Sequence, residues 1–108
     1  MSDQVFQALA DERRRNILRL IQNTELSAGE IAGHFDVTQP AISQHLRVLV
    51  EAQLVTMRRQ GTRRLYKARP EGLMQVREYL KGFWDASLQE LKQAAEMEER
   101  GIESYGRN

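Results

Sequence analysis

On a helix turning about 100° per residue, the stretch 38–52 separates into two faces. Pro40, Ser43, Gln44, Arg47 and Glu51 fall on one side; Ile42, Leu46 and Leu49 fall on the other, flanked by Ala41, Val48 and Ala52. The polar side is chemically suited to the edges of bases. A glutamine bonds bidentately to adenine and an arginine to guanine, each good pair giving about 1–3 kcal/mol of discrimination. Pro40, Ser43, Gln44 and Arg47, with Gln39 at the edge, are therefore expected to face a DNA major groove. Thr38 and the amides of the first turn are expected to hold phosphate. The strip is short, so further contacts must come from elsewhere.

A second cluster lies at 58–69, where Arg58, Arg59, Arg63, Arg64, Lys67 and Arg69 meet no acid. The chain as a whole is nearly neutral, with a formal charge of +1. That figure conceals an asymmetry: residues 1–69 carry eleven Lys/Arg against seven Asp/Glu, and residues 70–108 carry five against eight. A basic patch on a nearly neutral chain suits a polyanion held by one face. Arg59, Arg63 and Arg64 are expected to contact the sugar–phosphate backbone, with one arginine entering the minor groove.

Other chemistries find little support in these residues. There is no cysteine, which removes disulfides, thiolate metal sites and cysteine nucleophiles. His34 closes one short helix and His45 lies in the next, beside Leu49 near the apolar face. No neighbouring set completes a tetrahedral site. His45 reads as structural, bonding a backbone or side-chain acceptor. No nucleophile, base and orienting group stand at a recognisable spacing, so neither enzymatic activity nor a cofactor is expected. No apolar run approaches the roughly 20 residues of a membrane span. Met1-Ser2-Asp3-Gln4 shows no positive segment followed by an apolar one, so no signal peptide is expected, and a cytoplasmic protein with no membrane partner is expected.

The elements that position these residues follow from local signals. Residues 3–10 predict a first helix and Asp11 an N-cap for a second, through about Gln22, with Ile17, Leu18 and Ile21 inward. Arg14 falls at the edge of that face, where its stem is expected to lie along the core and its guanidinium to reach a carboxylate or a phosphate. Ser27-Ala28-Gly29-Glu30 is a capping box, with Leu26 and Ile31 as a hydrophobic staple. That third helix is expected to end near Phe35. Thr38 caps the next helix, Val37 and Ile42 staple it, and Pro40 sits in its first turn. Two separately capped helices joined by a tight turn make a helix-turn-helix over 27–52. Leu54–Arg59 and Arg63–Ala68, with Gln60-Gly61-Thr62 between them, predict a hairpin wing over 54–68.

From Pro70 an apolar stripe runs through Leu73, Val76, Leu80, Phe83 or Trp84, Leu88, Leu91 and Ala95. A helix of about 30 residues with one wide apolar face needs a partner. The simplest is its own copy in a homodimer. The expected interface comprises Val5, Phe6, Leu9, Leu80, Phe83, Trp84, Leu88 and Leu91, from segments 3–10 and 71–100. The expected whole is mainly α with a small β-hairpin: one winged helix-turn-helix domain over 1–100, dimeric through its terminal helices, with a flexible tail at 101–108.

These residues carry a resemblance. Ala8-Leu9-Ala10-Asp11-Glu12-Arg13-Arg14-Arg15-Asn16-Ile17-Leu18 resembles the opening of ArsR/SmtB-type bacterial repressors. Leu26 to Ala32 and Gln39 to Leu49 are similar to the family's central signature, and Arg58-Arg59-Gln60-Gly61 to its wing. The resemblance covers about residues 3–69 and implies a homodimer that represses transcription from an inverted-repeat operator. Metal-sensing members carry cysteines in the helix corresponding to 27–35 or Asp/His sets in the last helix. This chain lacks the first, and its last helix has no histidine. The resemblance therefore points to the branch without metal ligands, which includes autorepressors. Gln53 stands where many relatives have glycine; if left-handed, it carries about 1 kcal/mol of strain. Two alternatives stay open on sequence. One is a sensor repressor gated by a small-molecule effector, of unknown identity, at the dimer interface. The other is a winged-helix protein-interaction module using the Phe83/Trp84 face.

Overall fold

The computed structural model describes residues 3–104, with side chains described for 3–98. The elements are α1 (Asp3–Leu9), α2 (Glu12–Leu20), α3 (Ala28–Ala32), α4 (Gln39–Glu51), β1 (Val55–Gln60), β2 (Arg63–Ala68), a 3-10 turn (Pro70–Leu73) and α5 (Met74–Ser104). They fall into two compact units, one ending at Val76 and the other beginning at Arg77.

In the first unit the expected caps are in place. The Asp11 carboxylate accepts the Arg14 N–H at 3.1 Å. Ser27 and Glu30 form the reciprocal capping box, and Thr38 accepts the Ala41 N–H. Each cap starts a helix whose apolar face meets the same centre: Ile17, Ile31, Ile42, Leu46 and Leu49 are fully buried together with Ile21 and Leu54. Burying side chains of this size contributes about 1.5–3 kcal/mol each. Leu26 and Val37, the outer halves of the two staples, pack against this core.

Several boundaries differ from expectation, among them β1, which runs Val55–Gln60 where Leu54–Arg59 was expected. α2 ends at Leu20, and α3 gives way to turns after Ala32. There the amides of His34 and Phe35 bond three residues back, to Ile31 and Ala32, so the chain tightens into a turn and α3 stops short of Phe35. Pro70 opens a separate 3-10 turn ahead of α5, because Gly72 is drawn against the corner described next.

That corner ends the recognition helix. Gln53 has φ 61° and is the one left-handed non-glycine among the described residues. Leu54 N–H bonds Leu49 O at 2.9 Å and Gln53 N–H bonds Val50 O at 3.0 Å, the paired bonds of a left-handed helix stop. Arg69 closes the corner from outside, its N–H on Leu54 O at 2.7 Å and its guanidinium on Gln53 O at 3.2 Å. A Cβ at Gly72 would lie 2.1 Å from Gln53 O, so only glycine fits there.

β1 and β2 pair antiparallel from Val55↔Ala68 to Gln60↔Arg63, and Gly61 (φ 64°) makes the turn. Leu26 bridges to Tyr66, exchanging both backbone bonds with it. This isolated bridge beside the two-stranded hairpin was not anticipated, since Leu26 read only as a staple.

The second unit is helical from Arg77 through Ser104. Residues 101–104 thus continue the helix where a tail was expected, and 105–108 lie outside the described residues. Leu80, Phe83, Trp84, Leu88 and Leu91 are all exposed. In the first unit, Val5 is 2% exposed. This part of the expected dimer surface is occupied within the chain's own core, because α1 turns that side chain toward α2 and α4. Phe6 and Leu9 are half-buried.

Candidate nucleic-acid interface

α4 presents Gln39, Pro40, Ser43, Gln44 and Arg47 to solvent while Ile42, Leu46 and Leu49 anchor it. Thr38, spent on the cap, is exposed beside them. The polar strip inferred from spacing is therefore one continuous face. Arg47 Nε donates to Glu51 one turn on, at 3.2 Å. Both side chains are largely exposed (80% and 55%), and such surface pairs are worth little, so Arg47 can exchange Glu51 for a base at small cost.

The N-terminal end of α4, the first turn of α3 and the wing border one groove of about 440 Å³. Gln39 and Ser43 line it from α4, Thr62, Arg63 and Arg64 from the wing, and Ser27 and Gly29 from α3. Gln39 packs on α3: a Cβ at Gly29 would meet its Oε1 at 3.3 Å. The groove thus joins two sets of residues singled out separately in the sequence.

The wing cations differ in their surroundings. Arg58 holds Glu25 bidentately, at 2.7 and 2.8 Å, and that hydrogen bond keeps the Glu25 carboxyl below its usual range and raises the guanidinium. Arg63 binds Glu30. The Glu30 carboxyl is also lowered, first by the bonds with Ser27 and then by Arg63. Arg59 and Arg64 face each other across the strands. Arg58, Glu25 and Glu30 were not among the expected site residues. Both ion pairs join residues 33 apart, and no local signal in the sequence announces them.

Both histidines are engaged. His34 Nδ1 donates to Glu30 O at 2.9 Å, closing α3. His45 Nδ1 lies 3.4 Å from Arg14 Nη1; a guanidinium only donates, so the ring nitrogen accepts. Arg14 also donates to Ala8 O at 2.7 Å and Gln7 O at 3.0 Å. One guanidinium therefore ties the end of α1 to the inner side of α4. The Asp11 carboxyl, accepting the Arg14 amide, is held below its usual range.

This arrangement is a recurring one. Residues 11–57 match the bacterial regulatory protein, arsR family. Over 86 residues the chain is 45% identical to an HTH-type transcriptional regulator of Mycobacterium tuberculosis, covering 80% of each. The chain belongs to the ArsR family. It is also 42% identical over 57 residues to the transcriptional repressor SdpR of Bacillus subtilis, covering 53% of this chain and 63% of that protein. A solution structure titled as a homodimeric winged helix-turn-helix DNA-binding domain from Mycobacterium bovis superposes with a TM-score of 0.63. It is 30% identical, and the match covers 77% of both chains. As an ArsR-family chain, this protein is a DNA-binding regulator built on the winged helix-turn-helix expected from its sequence. Among the described residues no helix is long and apolar enough to cross a membrane.

Proposed function

We propose that this ArsR-family chain is a cytoplasmic, homodimeric transcriptional repressor that binds an inverted-repeat operator, without enzymatic activity or a cofactor. The observation that carries the reading is the groove that brings Arg63 and Arg64 of the wing beside Gln39 and Ser43 of α4. Gln39, Pro40, Ser43, Gln44 and Arg47 enter the major groove, Thr38 and nearby amides meet a phosphate, and the wing that carries Arg59, Arg63 and Arg64 lies along the backbone, with Arg59 and Arg64 as its phosphate contacts. The stripe Leu80, Phe83, Trp84, Leu88 and Leu91, with Phe6 and Leu9, forms the dimer contact; the homodimeric relative supports this. Repression is favoured by the likeness to SdpR. Arg47 tests the base-reading role. Arg47→Ala should cost about 1–3 kcal/mol on a cognate duplex and far less on random DNA, measured by fluorescence anisotropy. Equal losses on both would remove Arg47 from base reading.

A further inference from the structure

The four wing arginines are not equivalent. Arg58 and Arg63 are each bound to an acid from outside the hairpin, Glu25 and Glu30. Arg59 and Arg64 have no acidic partner among the described residues and stand opposite one another in the strand register. Like charges directly opposed on a hairpin destabilise it. A bound anion between them removes that repulsion.

Glu30 is an unusual partner for a surface arginine because its carboxylate is already oriented. Its Oε1 accepts the Ser27 N–H at 3.0 Å, while Ser27 Oγ accepts the Glu30 N–H at 3.2 Å. Exposed ion pairs are weak chiefly because two long side chains must be held still; here the capping box holds one of them. The oxygen that caps α3 is the one that receives Arg63. The first helix of the helix-turn-helix is thereby tied to β2, next to the Leu26–Tyr66 bridge. Since Gln39 packs on that same turn of α3, the tie sets where Arg64 stands relative to Gln39 and Ser43.

We infer that Arg59 and Arg64 grip the phosphate backbone, whereas Arg63 is a positioning residue that acts through Glu30 to hold the wing beside the recognition helix. This division of labour rests on the DNA-binding reading above.

Salt dependence separates the two roles, because each phosphate contact contributes about 0.9 to the slope of log affinity against log salt. Arg59→Ala and Arg64→Ala should each weaken binding about tenfold at low salt and reduce the slope by about 0.9. Arg63→Ala should weaken binding about three- to tenfold and leave the slope unchanged. The decisive variant is Glu30→Gln, which keeps an oxygen for the Ser27 amide but removes the anion. A phosphate-gripping Arg63 would be freed by it, and DNA would bind more tightly. A positioning Arg63 gives the opposite sign: weaker binding, with the double variant Glu30→Gln/Arg63→Ala no weaker than Arg63→Ala alone. All affinities are taken well below each variant's melting temperature, so that the folded fraction is constant. Tighter binding by Glu30→Gln, or a slope loss of about 0.9 in Arg63→Ala, overturns the assignment of Arg63. Unchanged slopes in Arg59→Ala and Arg64→Ala overturn the grip. A wild-type chain that binds no duplex at low salt is a different result, and removes the DNA-binding reading itself.

Discussion

Ile17, Ile31, Ile42, Leu46 and Leu49 are fully buried in the first unit, whereas Leu80, Phe83, Trp84, Leu88 and Leu91 stand 46–61% exposed in the second. Both sets are large, apolar and spaced for one face of a helix. Their fates differ because the helices of the first unit are short and enclosed by one another, while α5 runs on for 31 residues. An amphipathic period shows that a face is to be buried; it does not show whether the covering surface belongs to the same chain. The first unit answers that question internally. The second leaves a contiguous apolar stripe of the kind that marks an interaction site.

The contrast can be broken most forcefully at Gly72, where the first unit has no room. Gly72→Ala should destabilise that unit by about 2–4 kcal/mol, since the new Cβ meets the backbone oxygen of Gln53 and one of the two must move. Chemical denaturation checks this, and an unchanged midpoint would mean the close approach is not maintained. The second unit should respond differently. Trp84→Ala should weaken self-association by about 2 kcal/mol, roughly thirtyfold, while secondary structure is retained. Analytical ultracentrifugation reads it, and an unaltered dimer constant would assign the stripe to another partner. The smallest effect is a gain. Gln53→Gly relieves a left-handed residue and should stabilise the first unit by about 1 kcal/mol. A lower melting temperature would show that the Gln53 side chain contributes more than its backbone loses.

These same positions show what could be read from the chain. The caps at Asp11, Ser27 and Thr38 were legible because an N-cap is written within four residues, whereas the left-handed Gln53 was signalled only by the family resemblance, in which many relatives have glycine at that position. The recognition face was legible from periodicity alone. Val5 was not: its apolar character fits a dimer contact and an internal one equally, and only the packing of α1 decides between them. The division among the wing arginines was hidden for a different reason. Arg58 and Arg63 meet acids 33 residues away, and a cluster of cations carries no mark of which members are already paired.

Base reading by α4 in a two-fold dimer, as proposed, is put to the sharpest test by selecting bound duplexes from a random pool with the purified protein. The expected outcome is enrichment of an inverted repeat whose half-sites lie about 34–36 Å apart, one helical turn. Recovery of a pool no different in sequence from the input, at a salt concentration where the duplexes bind, would contradict it.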